Sequence, residues 1–357
     1  NLRKKYISPS YSLSYHEPLY ITRGEGQYLY DEKGKKYLDA INNIQHVGHS
    51  HPKVLEAATE QLKKLNTNTR YLNDVVSNYA EELIGKMPGN LDTCFFTNSG
   101  SESNDLALRI ARSQSNGDHI IVLDGAYHGH LSSLIEISPY KFNGPGGRGA
   151  GKNVHVAPTP DIFRGKYRKV DAGDKYVKEI EKIILYLEKE NKVVCAFISE
   201  AILGCGGQII PPKYFFKNSY DLIKKNKGLC IADEVQIGFG RTGSHFWGFE
   251  TQKVLPDIVT IGKSMGNGHP ISALITTRNI ASSFNNGMEY FNSFGGNPVS
   301  CAIGHAVLEI IEEEELQKNA FQVGKILMDL LNQLKSRHSI IGDVRGKGLF
   351  LGIELVN

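Results

Sequence analysis

The chain has 357 residues, 40% hydrophobic and 22% charged, the balance of a folded globular protein and a length that predicts one large domain with a smaller companion. A formal charge of +3 gives no reason to expect nucleic acid or an anionic membrane as partner. No segment approaches the ~20 apolar residues needed to span a bilayer. The first residues lack a signal-peptide pattern, and Cys94, Cys195, Cys205, Cys230 and Cys301 form no C-x-x-C pair, so the expectation is a cytoplasmic protein with reduced thiols.

In chain order, residues 19–39 alternate apolar and polar side chains around Gly24-Glu25-Gly26 and Lys33-Gly34, which predicts a pair of short antiparallel strands. From about Pro52 the spacing becomes helical, with Val54, Ala57, Ala58, Leu62 and Leu65 on one stripe. The stretch "CFFTNSGSESNDLALRIAR" (94–112) reads as an apolar run, a Ser-Gly-Ser turn and a helix. Free N–H groups at such a helix start suit a phosphate; Gly100 permits close approach and Ser101 adds a hydroxyl. An ordinary N-cap is the competing reading.

Helical stretches then alternate with short apolar runs, the pattern of an α/β domain with a largely parallel sheet. The runs are "HIIVLD" (119–124), "VVCAFISE" (193–200), "GLCIADE" (228–234) and "DIVTIG" (257–262). Ligands in such sheets lie beyond the carboxyl ends of the strands, where Asp124 to Tyr127, Glu200, Asp233 and Lys263 would meet. Lys263 follows a β-branched run that suggests burial. A buried ammonium loses hydration, becomes easier to deprotonate and is then a nucleophile. Asp233 would need a positive partner, either a protonated ring nitrogen or an arginine such as Arg241.

The remainder reads as helical to about residue 336, with Glu312–Glu315 as a solvated face, and 344–355 as a terminal strand. Two motifs are rejected on context. Gly146-x-x-x-x-Gly151-Lys152 matches most of a P-loop, yet Asn153 replaces the Ser or Thr and a strand-like "NVHVAP" follows where a helix is required. His46, His49, His51, His128 and His130 lack metal-ligand spacing, and no metal is expected.

The ordered set "NSGSESND", "YHG", "ADEVQIGFGRTG", "PDIVTIGKSMGNGHP" and "FGGNP" resembles the class III aminotransferases over nearly the whole chain. The resemblance implies a pyridoxal 5'-phosphate (PLP) enzyme of fold type I. That α/β fold has a large domain with a mostly parallel sheet flanked by helices (46–296) and a smaller α+β domain from 1–45 and 297–357. It assigns Lys263 as the Schiff-base lysine and Asp233 as the partner of the pyridinium nitrogen. Gln236 would lie near the phenolic oxygen, Gly100 and Ser101 would hold the phosphate, and Tyr127 would stack on the ring with His128 beside it. Glu200 matches the first acidic residue of a strand-end motif. Ser293 stands where a threonine contacts the phosphate across a dimer interface, so a homodimer is implied.

Within the family, "LNTNTRYLND", "HLSSLIEISPYKF", "GGQIIPP" and "GKSMGNGHP" resemble phospho-lyases acting on O-phosphoethanolamine or phosphorylated hydroxylysine. Cys205 replaces a second glutamate found in many transaminases. The sequence also stops after "GIELVN", short of the segment that often carries a carboxylate-binding arginine. The expected reaction on a primary amine is elimination of phosphate, with Arg70 and Lys141 gripping the leaving group. An ω-amine transaminase and a non-catalytic PLP-binding module are the alternatives.

Overall fold

Seven strands build the central sheet of the computed structural model, which describes residues 2–357. After a short helix α1 (Leu2–Tyr6), the N-terminal segment forms β1 (Ile21–Glu25), β2 (Tyr28–Asp31) and β3 (Lys36–Leu38). These make a three-stranded antiparallel sheet where a pair was expected, because Lys33-Gly34 turns the chain back once more. Helices α2 (Pro52–Lys64) and α3 (Asp74–Gly85) follow. Pro52 opens α2 with its φ already helical, and the His51 ring accepts the Lys53 N–H as a cap.

The large sheet begins at β4 (Thr93–Thr97), after which α4 (Gly100–Ser115) leads to β5 (His119–Leu123). Short helices α5 (Ser132–Ile135) and α6 (Pro139–Phe142) precede β6 (Val154–Ala157). Next come α7 (Ala172–Lys189), β7 (Val194–Glu200), α8 (Phe215–Lys225), β8 (Leu229–Asp233), β9 (Ile258–Ile261) and β10 (Ser272–Thr276). The spatial order is β4-β10-β9-β8-β7-β5-β6. Strands β6, β5, β7, β8 and β9 are parallel, and β5, β7, β8 and β9 are wholly buried runs of the kind that parallel sheets require.

Sequence periodicity did not separate β10 from the helical remainder. "SALIT" is a short run with no alternation, and it pairs antiparallel with both β9 and β4. Helices α9 (Arg278–Phe284), α10 (Pro298–Glu313) and α11 (Leu316–Arg337) follow. The expected single terminal strand is a hairpin, β11 (Ile341–Lys347) and β12 (Phe350–Leu355), turned at Gly348 with φ +56°. No helix among the described residues is long and apolar enough to cross a membrane.

The pleat decides what faces what. Ile120 and Val122 pack with α4 residues Leu106, Ala107, Ile110 and Ala111, while Ile121 and Leu123 pack with Tyr176, Ile180 and Ile184 of α7. On β8, Leu229 and Ile231 share the α4 face, so Asp233, two residues further, points the same way. Ile198 puts Glu200 on that face too, and Glu200 and Asp233 are direct partners in the parallel register. Thr260 of β9 is next in the same row.

Candidate active site

A cavity of about 250 Å³ opens at the carboxyl ends of these strands. It is lined by Ser99, Gly100 and Ser101 from the start of α4, by Asn104 one turn on, by Tyr127 to His130 after β5, and by Glu200, Asp233, Val235, Gln236 and Lys263. All the cofactor-contacting positions expected from sequence line it except Ser293. Ser293 is exposed, as are Arg70 and Lys141 outside the lining.

The start of α4 is built for close approach. Ser99 caps it, its Oγ accepting the Glu102 N–H at 3.2 Å. A Cβ on Gly100 would sit 2.7 Å from Val235, and a Cβ on Gly262 would sit 3.3 Å from the Gly100 nitrogen. Gly100 therefore lets the helix start close on Val235, and Gly262 lets the lysine turn come up to the helix start. The Ser101 hydroxyl accepts the His130 N–H at 3.2 Å and lies 3.1 Å from His130 Nδ1. Gly129, at φ +137°, lets that loop wrap the helix start.

Among the described residues, Asp233 meets no arginine. Its Oδ2 accepts from Asn104 Nδ2 and from His128 Nδ1, each at 2.8 Å, and its Oδ1 accepts the Val235 N–H at 3.1 Å. Asn104 is itself fixed: its Nδ2 also donates to the His128 carbonyl at 2.8 Å, and its Oδ1 accepts from Thr260 Oγ1 at 2.6 Å. The carboxylate is thus oriented by His128, Asn104 and a backbone N–H rather than by an arginine.

Glu200 Oε1 accepts from Gln236 Nε2 at 3.2 Å and from the Gly204 N–H at 3.3 Å, while Oε2 is buried without a partner. Burial, with the Asp233 charge adding to it, pushes this carboxyl up to about 8. At neutral pH it is largely a neutral acid. Gln236 Oε1 accepts from Asn43 Nδ2 at 2.9 Å, which ties the N-terminal segment to the site.

Lys263 sits at φ +32°, a conformation that costs a non-glycine residue about 1–3 kcal/mol and persists only where the surroundings hold it. Its side chain has no carboxylate within 4.0 Å among the described residues. Burial draws its ammonium below the ordinary lysine range; Asp233, Glu200 and Cys205 oppose this and Arg241 adds to it. Tyr127 is edge-on to Tyr140, centroids 6.1 Å apart, and burial raises its phenol.

Lys141 Nζ lies 5.7 Å from the centroid of Tyr127, one of the lining residues. Arg70 is held elsewhere, 3.0 Å from Glu289 and over the Phe291 ring. The other histidines have structural partners: His46 meets Phe239 and Arg241, and His49 pairs with Asp39 at 2.8 Å.

Sequence reading missed Asn104, Thr260 and Val235. Asn104 carried a signal, since it shares the 3–4 spacing of Ala107, Leu108 and Ala111 on the buried face of α4.

The arrangement fits a planar cationic ring bearing an anionic tail. Unpartnered buried atoms at Glu200 Oε2 and His128 Nε2 belong to side chains that line the cavity, an oriented carboxylate closes one side and a helix N-terminus closes the other. The model for the class III aminotransferases matches residues 10–357. An alanine–glyoxylate aminotransferase 2-like protein of Drosophila melanogaster is 52% identical over 99% of this chain and 73% of its own length. An ethanolamine-phosphate phospho-lyase homologue of Caenorhabditis elegans is 44% identical over 99% and 79%. Among solved structures, a phospholyase from Arthrobacter in complex with phosphoethanolamine superposes with a TM-score of 0.95 at 39% identity, covering 100% of this chain and 84% of that one.

Proposed function

The chain belongs to the class III aminotransferases, enzymes dependent on pyridoxal 5'-phosphate, and from that membership we propose that it eliminates phosphate from a small phosphorylated amine. The observation that carries this reading is the likeness to a phospholyase holding phosphoethanolamine, at a TM-score of 0.95 over the whole chain. Cys205 supports it, since it offers no carboxylate beside Glu200 of the kind that masks an arginine in transaminases. The 52% identity to an aminotransferase-like relative favours a second reading, transfer of an amine to a keto acid.

When bound, PLP supplies an electron sink for the pair left on the amine-bearing carbon. The residues that would hold it are Lys263 through Nζ, Asp233 at the ring nitrogen, Gln236 at the phenolic oxygen and the Gly100–Ser101 turn at the phosphate. Tyr127 would lie against the ring, with His128 fixing Asp233. Lys263, whose ammonium burial draws below the ordinary lysine range, takes the proton from the amine-bearing carbon. The neighbouring carbon–oxygen bond breaks, and phosphate leaves with its electron pair. Addition of water then gives aldehyde, ammonia and inorganic phosphate. Lys141, an exposed lysine whose Nζ lies 5.7 Å from the Tyr127 ring, grips the departing phosphate. Glu200, as a neutral acid, adds no second negative charge beside Asp233.

A homodimer belongs to this proposal. Arg70 packs on the 289–291 segment, Thr69 lies beside Gly296, and exposed Leu72, Met288 and Phe294 surround that region. Ser293, exposed and outside the lining of its own cavity, would contact the phosphate in a second copy's site.

The test supplies O-phosphoethanolamine or phosphorylated hydroxylysine without any keto acid and measures inorganic phosphate. Release that disappears in Lys263→Ala is expected. No release from either compound, with amine transfer to a keto acid intact, would overturn the lyase in favour of the transaminase.

A further inference from the structure

Arg241 is a half-buried cation with no carboxylate beside it among the described residues. Its Nη2 donates to the Asn43 carbonyl at 2.9 Å, to Ser264 Oγ at 2.9 Å and towards His46 Nδ1 at 3.1 Å, while its Nε is buried with no partner. No carboxylate pairs with it among the described residues. His46 Nε2 lies 2.7 Å from the Phe239 carbonyl, so that nitrogen carries the proton and Nδ1 is left to accept from Arg241. Burial and the Arg241 charge push His46 down to about 3, which keeps it neutral. Withdrawing an unneutralised guanidinium even partly from water is unfavourable, so its position calls for a reason.

Its partners supply the reason. Ser264 follows Lys263 directly, and Lys263 holds the φ of +32° that its surroundings must enforce. The same 43–48 segment is tied to the far end of that turn by Asn267, whose Oδ1 accepts from the Val47 N–H at 3.0 Å and whose Nδ2 donates to the Gly48 carbonyl at 2.8 Å. Segment 43–48 is therefore stapled to both ends of the lysine turn. Arg241 is the staple at the catalytic end.

We propose that Arg241 is a positioning residue for Lys263: its guanidinium clamps the Lys263–Ser264 turn onto the Asn43–His46 segment and places a fixed positive charge behind the amine. This rests on the reading of Lys263 as the cofactor lysine. The groups that face the amine are Asp233 and Glu200 from the strand ends, Cys205 from the following loop, and Tyr127, His128 and His130 from the β5 loop. Asp233, Glu200 and Cys205 favour protonation of the amine, whereas burial and the Arg241 charge oppose it.

The experiment compares wild type, Arg241→Gln, Arg241→Lys and Ser264→Ala as holoproteins. Two readouts besides activity are taken: the pH midpoint of the bound cofactor's absorbance change and the rate of cofactor dissociation into buffer. Loss of the charge in Arg241→Gln is expected to raise the midpoint by about one pH unit, because protonation of the nitrogen at 263 is no longer opposed. Arg241→Lys keeps the charge but not the planar fork, so its midpoint stays near wild type while dissociation accelerates about tenfold. Ser264→Ala behaves like Arg241→Lys, more weakly.

An Arg241→Gln midpoint equal to wild type, or unchanged dissociation from Arg241→Lys, overturns the proposal. If Arg241→Gln does not fold, the Arg241→Lys and Ser264→Ala dissociation rates decide it alone. Borohydride reduction and peptide mapping of the wild type separate the two readings. Label at 263 with unchanged variants sinks the clamp, and absence of label at 263 sinks the cofactor assignment itself.

Discussion

His128 Nδ1 donates to Asp233 Oδ2 across 2.8 Å, and both side chains are almost wholly withdrawn from water. With Asn104 donating to the same oxygen at 2.8 Å, the carboxylate has its orientation fixed before any ligand arrives. Such preorganised charge acts without reorganising at the moment of reaction, and in a dry site it is worth more than in water.

Asp233→Asn keeps the shape and removes the charge. Turnover is expected to fall by about 10²–10³-fold, the range for losing one preorganised electrostatic partner. Steady-state kinetics with cofactor loading measured on the same samples checks this. Turnover equal to wild type would show that Asp233 does not face the reacting group.

Glu200 carries a pH signature. Its folded carboxyl is pushed up to about 8 from the ordinary glutamate value of 4.5, so between those limits the folded chain binds the extra proton. Stability of the apoprotein from this group is therefore full below about 4.5 and lost as pH rises through about 8. Glu234, also raised to about 8, has the same sign. Denaturant titrations across that window should show wild type weakening with pH and Glu200→Gln weakening less. Equal slopes would mean that Glu200 is ionised in the fold.

Gly129 is the tightest point of the loop around α4. A Cβ there would meet Leu134 Cδ1 and Ser101 Oγ, each at 2.6 Å, at a backbone φ of +137°. Gly129→Ala should displace His130 and the Ser101 hydroxyl and weaken cofactor retention by about tenfold or more, for a cost of at least about 1.4 kcal/mol. Equilibrium dialysis of cofactor measures it. Unaltered retention would show that this loop does not shape the phosphate end.

The parts legible in sequence were those with local signals. Buried β-branched runs marked β5, β7, β8 and β9, and strand-end geometry brought Glu200, Asp233 and Lys263 together. What escaped was set by tertiary pairing. β10 is too short to show a period, and its antiparallel direction follows only from the neighbours it finds. The 344–355 run gave one strand because the αL turn at Gly348 hides inside "RGKGLF".

At the site, Lys263 was expected from its burial, but its strained φ and the Arg241 clamp depend on residues about 220 positions upstream in the 43–48 segment. Asp233 was given Arg241 as a possible partner on charge alone. The structure satisfies it with His128 and Asn104, and uses the arginine elsewhere.

The most direct measurement is the position of the covalent link. Holoprotein reduced with borohydride, digested and mapped by mass spectrometry should carry the cofactor's mass on the peptide containing Lys263, with none on Lys263→Ala. Label on another lysine, or a bound cofactor that reduction does not fix to the chain, would contradict the account at its root.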